Sequence, residues 1–246
     1  MIPTQIHRYG TVKSTNDIAI EMLKHGEPEG TVVTALAQSK GRGRRGRSWA
    51  SEPGQNAIVS IVLTPHKQPN QLHELSFVAG LGVAEYLAND HAVEVSLKWP
   101  NDVMVGDKKI VGILVETAKV SGEWSAVAGI GLNVNQSRFD GELHNRATSI
   151  AIETGRQVDV DSVCERLAKR VLEVYEQYIT GGFEDILARW TKYMWGVGRV
   201  VEVATEARSI LGHIEGADDT GALIIKDARG HRHCIRAADT IRVLCA

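Results

Sequence analysis

The segment Gln38–Ala50 contains the residues best suited to chemistry on an anion. Its central residues, 41–47, are four arginines and three glycines in the order GRGRRGR. Arginine supplies a permanent charge and a forked set of donors that match phosphate and carboxylate groups. Glycine supplies flexibility and lets the backbone approach a ligand closely. The combination predicts a mobile loop that closes over a compact anion, such as a triphosphate or a carboxylate.

Three alternative interpretations of this loop are weaker. Its glycines match the dinucleotide pattern G-x-G-x-x-G, but that motif must open a helix, and here Pro53 and Gly54 follow instead. A nucleic-acid-binding arm would be expected beside a known binding module and in a basic chain, whereas the formal net charge is -2. The third alternative is an ordinary solvated basic loop, and the three glycines argue against it.

Three further stretches place polar groups where strands end. "LKWPNDVMV" (97–105) sets Asn101 and Asp102 behind a strand, and strand ends are where α/β proteins bind ligands. "GDKKIVGILVE" (106–116) sets Lys109 before an apolar run, where its charge would reach the rim of a pocket. "GIGLNVN" (129–135) puts Asn133 and Asn135 on one strand face. For each stretch, the alternative is a turn residue without a ligand.

The hydrophobic pattern predicts the elements that must position these stretches. Apolar residues at helical spacing, with start and stop signals, predict helices at 14–25, 72–90, 161–179 and 183–195. Runs of β-forming residues predict strands at 31–38, 56–63, 93–99, 102–116 and 125–135, of which 102–116 is a hairpin. From Gly196 onward, short strands alternate with turn residues, which predicts a small all-β module that forms a compact barrel. The predicted domains are therefore 1–196 and 197–246.

The composition restricts the class of protein. The 246 residues are 43% hydrophobic and 24% charged, as in an ordinary soluble globular protein. Cys164, Cys234 and Cys245 are odd in number and far apart, which disfavours a disulfide framework and fits a reducing cytoplasm. The chain shows no apolar signal region and no apolar run long enough for a membrane span, so a cytoplasmic location is expected.

Six segments, taken in order, resemble the biotin protein ligases (biotin–[acetyl-CoA-carboxylase] ligases). The segments are "STN" (14–16), "AQSKGRGRRGRSW" (37–49), "KWPND" (98–102), "KIVGILVE" (109–116), "GIGLNVN" (129–135) and "ATSI" (147–150). They span most of residues 14–150, and their shared order makes the resemblance specific. It implies an α+β fold with a mixed β-sheet flanked by helices, as in the class II synthetases, and a C-terminal SH3-like β-barrel.

The resemblance implies a ligase reaction in two steps. ATP, with Mg²⁺, and biotin form biotinyl-5′-AMP and pyrophosphate. A lysine of a biotin carboxyl carrier domain then takes the biotin and releases AMP. Because biotin and ATP are both anionic, the arginine loop would bring them together and keep water from the mixed anhydride. The loop is therefore expected to be mobile when empty and closed over the adenylate.

The matching motifs assign roles to residues by resemblance. Arg42 and Lys109 are the expected catalytic residues, since Arg42 would lie near the biotin carboxylate and phosphates and Lys109 would bridge that carboxylate and the α-phosphate. The expected biotin-binding residues are Ser14, Thr15, Asn16, Gln38, Gly41, Arg42, Arg44, Lys109, Gly112 and Ile113. The expected nucleotide-binding residues are Arg44, Arg45, Arg47, Trp49, Asn101 and Asn133. Asp102 is expected either to hold Mg²⁺ or to support the structure.

Two further expectations concern domains and partners. The "STN" segment stands near the start of the chain, so we expect a short form without the N-terminal DNA-binding domain of many family members, and no repressor activity. A monomer and a homodimer both fit the sequence, and an open sheet edge favours the homodimer.

The sequence leaves two alternative functions. One is a lipoate or octanoyl ligase of the same architecture, which the arginine loop and "KWPND" disfavour. The other is a non-enzymatic nucleic-acid-binding module.

Overall fold

The computed structural model describes residues 2–206 and 208–244. The strands of the first sheet are β1 (Gln5–Val12), β2 (Thr31–Gln38), β3 (Asn56–Leu63), β4 (Ser96–Lys98), β5 (Asp102–Val105), β6 (Lys108–Val120) and β7 (Glu123–Asn133). The helices are α1 (Thr15–Lys24), α2 (Glu74–His91), α3 (Ile150–Thr154), α4 (Val160–Gly181) and α5 (Phe183–Lys192). The C-terminal strands are β8 (Val200–Ala204), β9 (Ser209–Ala217), β10 (Leu223–Lys226), β11 (Arg232–Ile235) and β12 (Thr240–Val243).

The first seven strands form one mixed sheet in the order β1-β2-β3-β7-β6-β5-β4. Strands β1 and β2 run parallel, and the other neighbours run antiparallel. Helices cover the sheet on both sides. The predicted α+β fold with a mixed sheet flanked by helices is therefore confirmed.

Alternation along the strands sorts their side chains onto two faces of this sheet. On one face, Val32 and Ile61 belong to the main core with residues of α2, α4 and α5. On the other face, Val33 and Val62 pack with residues of α1. Strand β3 is buried at every position because both of its faces are covered. The short helix α1 covers only part of the second face, and this is where polar residues such as Ser60 lie.

The sequence located most of the elements and missed two. The strands predicted at 31–38 and 56–63 coincide with β2 and β3. Strand β1 was missed because it lies at a sheet edge, is largely exposed and lacks an apolar alternation. Helix α3 was missed because five residues are too few for a helical period. The strand predicted at 93–99 is shorter, since the Val93 N–H still bonds the Leu87 carbonyl at the end of α2.

The C-terminal strands confirm the predicted all-β module. They form a five-stranded antiparallel sheet in the order β11-β10-β9-β8-β12. Val201, Val203 and Leu223 form part of its buried side. Within the described residues this sheet is open, with β11 and β12 at its edges, so the strand pairing does not confirm the expected barrel.

Two sequence expectations concern membrane spans and cysteines. Among the helices in the described part of the chain, none combines the length and the apolar character of a membrane span. Cys164 is a buried free thiol and Cys234 an exposed one. Cys245 lies outside the described residues.

Candidate active site

The register of the large sheet gathers residues from separate motifs on the face that α1 partly covers. Gly112 of β6 lies opposite Gly131 of β7, and Gly129 lies opposite Ser60 of β3. Asp102 of β5 lies opposite Gly112. Partners in register direct their side chains to the same face. The glycines therefore leave space above a surface that polar residues surround.

The start of α1 is bonded to the end of β2. The backbone N–H of Thr15 and its hydroxyl both donate to Gln38 Oε1, at 2.8 and 3.0 Å. Ser14 is the N-cap of α1, but its hydroxyl makes no capping hydrogen bond. Ser14 and Thr15 are both buried. The structure thus brings together the residues predicted to bind biotin at 14, 15 and 38.

Asn16 is bonded to protein groups through both ends of its amide. Its Nδ2 donates to Glu116 Oε2 at 2.7 Å and to the Leu114 carbonyl at 3.3 Å. Its Oδ1 lies 2.6 Å from the Ser60 hydroxyl. A Cβ at position 129 would lie 2.8 Å from Asn16 Nδ2, which explains why a glycine stands there. Such partners stabilise a buried amide, and these bonds fix Asn16 between α1, β3 and β6.

Residues 41–49 form a short hairpin, which we call the arginine hairpin. The Trp49 N–H donates to the Gly41 carbonyl at 3.0 Å, and the Gly43 N–H donates to the Arg47 carbonyl at 2.7 Å. Arg45, at the tip, adopts a left-handed conformation with φ 57°. A Cβ at Gly41 would lie 3.0 Å from Gln38 Nε2, so glycine allows the hairpin to leave β2 at this angle.

The side chain of Arg42 points to α1 and β6. Its guanidinium donates to both carboxylate oxygens of Asp17, at 3.0 and 2.6 Å. It also donates to both carboxylate oxygens of Glu116, at 3.2 and 3.1 Å. The hydrogen bond from Arg42 lowers the pKa of Asp17, and the same bond raises the pKa of Arg42. Arg42 therefore anchors the start of the hairpin to two other elements.

Arg44 follows Arg42 but has a neutral partner. Its Nη1 donates to Asn101 Oδ1 at 3.2 Å. Asn101 in turn donates through Nδ2 to the Ile113 carbonyl at 2.7 Å, and the Ile113 N–H donates to the Asn101 carbonyl at 3.0 Å. Burial is the main cause that lowers the pKa of Arg44, and the neighbouring Arg45 adds to it. Three predicted site residues are thus brought together.

Arg45 and Arg47 reach the C-terminal sheet. Arg45 forms an ion pair with Asp239 and lies 3.7 Å from Glu206. Arg47 donates through Nη2 to the Asp239 carbonyl at 3.1 Å. The two arginines predicted to serve the nucleotide therefore also connect the hairpin to the second sheet.

Trp49 closes the hairpin and lies on the glycines of the sheet. A Cβ at Gly131 would lie 2.6 Å from the indole Nε1, and a Cβ at Gly112 would lie 2.9 Å from Cζ3. The indole Nε1 is buried and has no hydrogen-bond partner among the described residues. The two glycines thus form a cradle for a flat ring, and Trp49 occupies it in this structure.

Lys109 stands beside this cradle. Its Nζ lies 2.5 Å from Asp102 Oδ1 and 5.6 Å from the centre of the Trp49 ring. Lys98 lies opposite Asp102 in the β4–β5 register, so the carboxylate has a lysine on each side. Burial lowers the pKa of Lys98, whose Nζ lies 4.4 Å above the Trp195 ring. The structure therefore concentrates positive charge at the edge of the cradle.

Asn133 ends β7 and lies close to the "ATSI" segment. Its Nδ2 donates to the Thr148 carbonyl at 2.9 Å, and its side chain is buried. The Thr148 N–H donates to the Lys109 carbonyl at 3.0 Å. Asn133 thus helps to fix the segment that carries Lys109.

Three polar residues of the site were missed by the sequence interpretation. They are Asp17 and Glu116, which bind Arg42, and Ser60, which lies near Thr15 and Asn16. Asp17 directly follows "STN" and Glu116 ends "KIVGILVE", so their positions beside the motifs were an available signal. Among the described residues, no group of three or more histidine, cysteine, aspartate or glutamate side chains could hold a metal ion.

The comparisons with known proteins agree on one family. Residues 9–135 match the model of the biotin/lipoate A/B protein ligase family. The biotin–[acetyl-CoA-carboxylase] ligase of Paracoccus denitrificans is 35% identical over 232 residues, which cover 92% of this chain and 95% of that protein. The bifunctional ligase/repressor BirA of Bacillus subtilis is 32% identical over 225 residues, which cover 90% of this chain and 69% of that protein.

A solved structure extends the similarity to nearly the whole chain. The biotin protein ligase of Aquifex aeolicus, in complex with biotin and ATP, superposes with a TM-score of 0.86 at 31% identity. The superposition covers 97% of this chain and 99% of that one. Sequence, family model and fold agree, and the chain belongs to the biotin/lipoate A/B protein ligase family.

Proposed function

We infer that the chain is an ATP-dependent biotin–[acetyl-CoA-carboxylase] ligase. It activates biotin with ATP to biotinyl-5′-AMP and transfers the biotin to a lysine of a biotin carboxyl carrier domain. The observation that carries this conclusion is the similarity, over 97% of the chain, to a biotin protein ligase solved with biotin and ATP. The cations around the glycine cradle agree with it, since both substrates are anions.

The first step joins two negatively charged groups. A carboxylate oxygen of biotin attacks the α-phosphorus of ATP, the bond to the β-phosphate oxygen breaks, and pyrophosphate leaves. Lys109 and Arg44 reduce the repulsion between carboxylate and phosphate and stabilise the charge that develops on the phosphate oxygens. Both side chains are only partly exposed, which strengthens their interaction with an anion.

The second step forms an amide. The amine of the carrier lysine attacks the carbonyl carbon of biotinyl-5′-AMP, the bond to the phosphate oxygen breaks, AMP leaves and the amine loses a proton. The arginine hairpin holds the mixed anhydride away from water until the carrier arrives. This role explains the combination of glycine and arginine in residues 41–47.

The remaining residues divide between the two substrates in this proposal. Ser14, Thr15 and Gln38 bind the polar ring of biotin, and Gly41, Gly112 and Ile113 line its pocket. Trp49, with Arg45, Arg47, Asn101 and Asn133, serves the nucleotide. The support is the position of most of these residues around one face of the sheet, with Trp49 lying on two of its glycines. Ile113 is the exception, because its side chain lies in the main core on the other face, so only its backbone is available to the pocket.

ATP is used as its Mg²⁺ complex, and Asp102 is the residue that would hold the ion. Its carboxylate is a donor type that Mg²⁺ accepts, and it lies beside Lys109. The ion screens the phosphate charge when it is bound. In the protein itself, the Asp102 carboxylate orients Lys109.

We also propose a division of labour between the two units. Residues 1–196 carry the catalytic site, and residues 197–246 form a counterpart of an SH3-like domain that supports the arginine hairpin. A homodimer through the exposed edge of β1 is part of the same proposal. The use of ATP and of a carboxylase carrier domain favours the cytoplasm.

The test is transfer of biotin to a carrier domain. The protein is mixed with biotin, ATP, Mg²⁺ and a biotin carboxyl carrier domain, and the mass of the carrier is measured. An increase by one biotinyl group, dependent on ATP, is expected. A parallel reaction with lipoate and its carrier tests the alternative function. Transfer of lipoate but not of biotin would overturn the conclusion.

A further inference from the structure

The carboxylates bonded to the Arg42 guanidinium carry more negative charge than the guanidinium carries positive charge. It lies within hydrogen-bond distance of four carboxylate oxygens, two from Asp17 and two from Glu116. The side chains of Arg42, Asp17 and Glu116 are 36%, 48% and 29% exposed, so water screens them only in part. A cation between two carboxylates has no net charge left with which to attract a third anion.

Arg44 differs from Arg42 in this respect. Its guanidinium donates to the neutral amide oxygen of Asn101, and within the described residues it forms no ion pair. A substrate anion can therefore bind Arg44 without displacing a carboxylate of the protein. The two arginines, although two positions apart in one hairpin, are suited to different tasks.

The position of Arg42 in the hairpin determines which other residues its side chain holds in place. Arg42 pairs with Ser48 in an isolated β-bridge, and the hydrogen bonds of Gly43 and Trp49 lie on either side of that pair. The side chain of Arg42 thus attaches both arms of the hairpin to α1 and β6. Moving Arg42 would move Trp49 off the glycine cradle as well.

We propose that Asp17 and Glu116 are positioning residues that clamp Arg42 and thereby keep the arginine hairpin closed over the adenylate. In this clamp the Arg42 side chain holds the hairpin in place, and the substrate carboxylate binds Arg44 and Lys109 instead. The proposal rests on the proposed function for its substrate and on the hydrogen bonds of Arg42 for its mechanism.

A direct role of Arg42 in binding the biotin carboxylate would predict that substitutions of Asp17 and Glu116 have the opposite effect on substrate binding. If the Arg42 guanidinium were the ligand of the biotin carboxylate, Asp17 and Glu116 would compete with the substrate. Neutralising them would then free Arg42 and strengthen biotin binding. If they clamp the hairpin, neutralising them loosens it and weakens retention of the adenylate.

The experiment compares Asp17→Asn and Glu116→Gln with the wild type. The rate at which preformed biotinyl-5′-AMP dissociates is expected to rise about three- to tenfold in each variant. Hydrogen exchange of residues 41–49 in the ligand-free protein should accelerate by a similar factor. The matched control is Glu21→Gln, one turn further along α1 and paired with Lys24, and it should change neither quantity.

A double-mutant cycle links the effect to Arg42. In an Arg42→Met background, Asp17→Asn should have no further effect, because the partner is already gone. Slower adenylate release, an unchanged rate, or an effect that persists without Arg42 would each overturn the clamp. Failure of the wild type to form biotinyl-5′-AMP would instead reject the proposed function, and the hydrogen-exchange comparison would still test the clamp. Should Glu116→Gln not fold, Asp17→Asn alone carries the test.

Discussion

At the scale of single residues, the cations of the site differ in what holds them. Arg42 is bonded to two carboxylates, Lys109 to one, and Arg44 to a neutral amide oxygen. A side chain that binds a substrate should lose little interaction with the protein when the substrate arrives. An anchoring side chain should instead be bound strongly to the protein. These partners therefore support our proposal that Arg42 anchors the hairpin, whereas Lys109 and Arg44 bind the substrates.

The replacement of Lys109 by Met should greatly slow adenylate formation. Methionine keeps the length of the side chain beside Trp49 but removes the charge that the proposed mechanism places next to the phosphate. We expect the rate to fall about 100- to 1,000-fold, as when one stabilising donor is removed from an active site. The measurement is pyrophosphate release with biotin and ATP. Lys108→Met is the control, since Lys108 is the exposed neighbour on the same strand, and equal rates for the two variants would contradict the assignment.

The sequence identified residues of the short motifs as candidates for the site, but it did not show which side chains pair with one another. Thr15 and Gln38 were both predicted, and they share two hydrogen bonds. Asp17 looks like an ordinary acidic residue in the first turn of a helix, where the helix dipole favours it. Its second role depends on the direction of the Arg42 side chain, and only the folded hairpin fixes that direction.

At the scale of elements, the strand register builds the cradle. Gly112 and Gly131 belong to motifs whose separation in sequence says nothing about their pairing, and the β6–β7 register sets them opposite each other. The apolar runs of β2 and β3 were readable because both faces of those strands are buried. Strand β1 became a strand through its pairing with β2, which no local pattern reports.

Gly131→Ala tests the cradle. The added Cβ would lie 2.6 Å from the Trp49 indole nitrogen, so either the indole or the strand must shift. We expect a loss of about 1–3 kcal/mol in the free energy of unfolding and a higher KM for ATP. Denaturant unfolding and steady-state kinetics measure the two effects. The control is Gly10→Ala on β1, where an added Cβ meets open space. If Gly131→Ala leaves the KM for ATP unchanged, as the control should, the glycine cradle has no role in binding the nucleotide.

At the scale of the whole molecule, the C-terminal sheet is bonded to the rest of the chain at separate points. The Trp99 indole donates to the Gly221 carbonyl at 2.9 Å, and Arg199 forms an ion pair with Asp107 at 2.6 Å. Asp239 binds Arg45 of the arginine hairpin. The spacing of turn residues in the sequence predicts an all-β unit here. It gives no sign that this unit contacts the arginine hairpin, because such contacts depend on how the folded parts pack together.

The ion pair between Arg45 and Asp239 links the second sheet to the arginine hairpin. Asp239→Asn tests our proposal that this sheet supports the hairpin. The side chains of Arg45 and Asp239 are 31% and 34% exposed, so the pair is only partly screened by water. Its loss should raise the KM for ATP about two- to fivefold, the range of a partly exposed ion pair. The rate at saturating ATP should change less, because Arg44 and Lys109 remain in place. Asp219→Asn, at an exposed position of the same module, is the matched control. If the two variants have the same KM, the second sheet does not act on the nucleotide through Asp239.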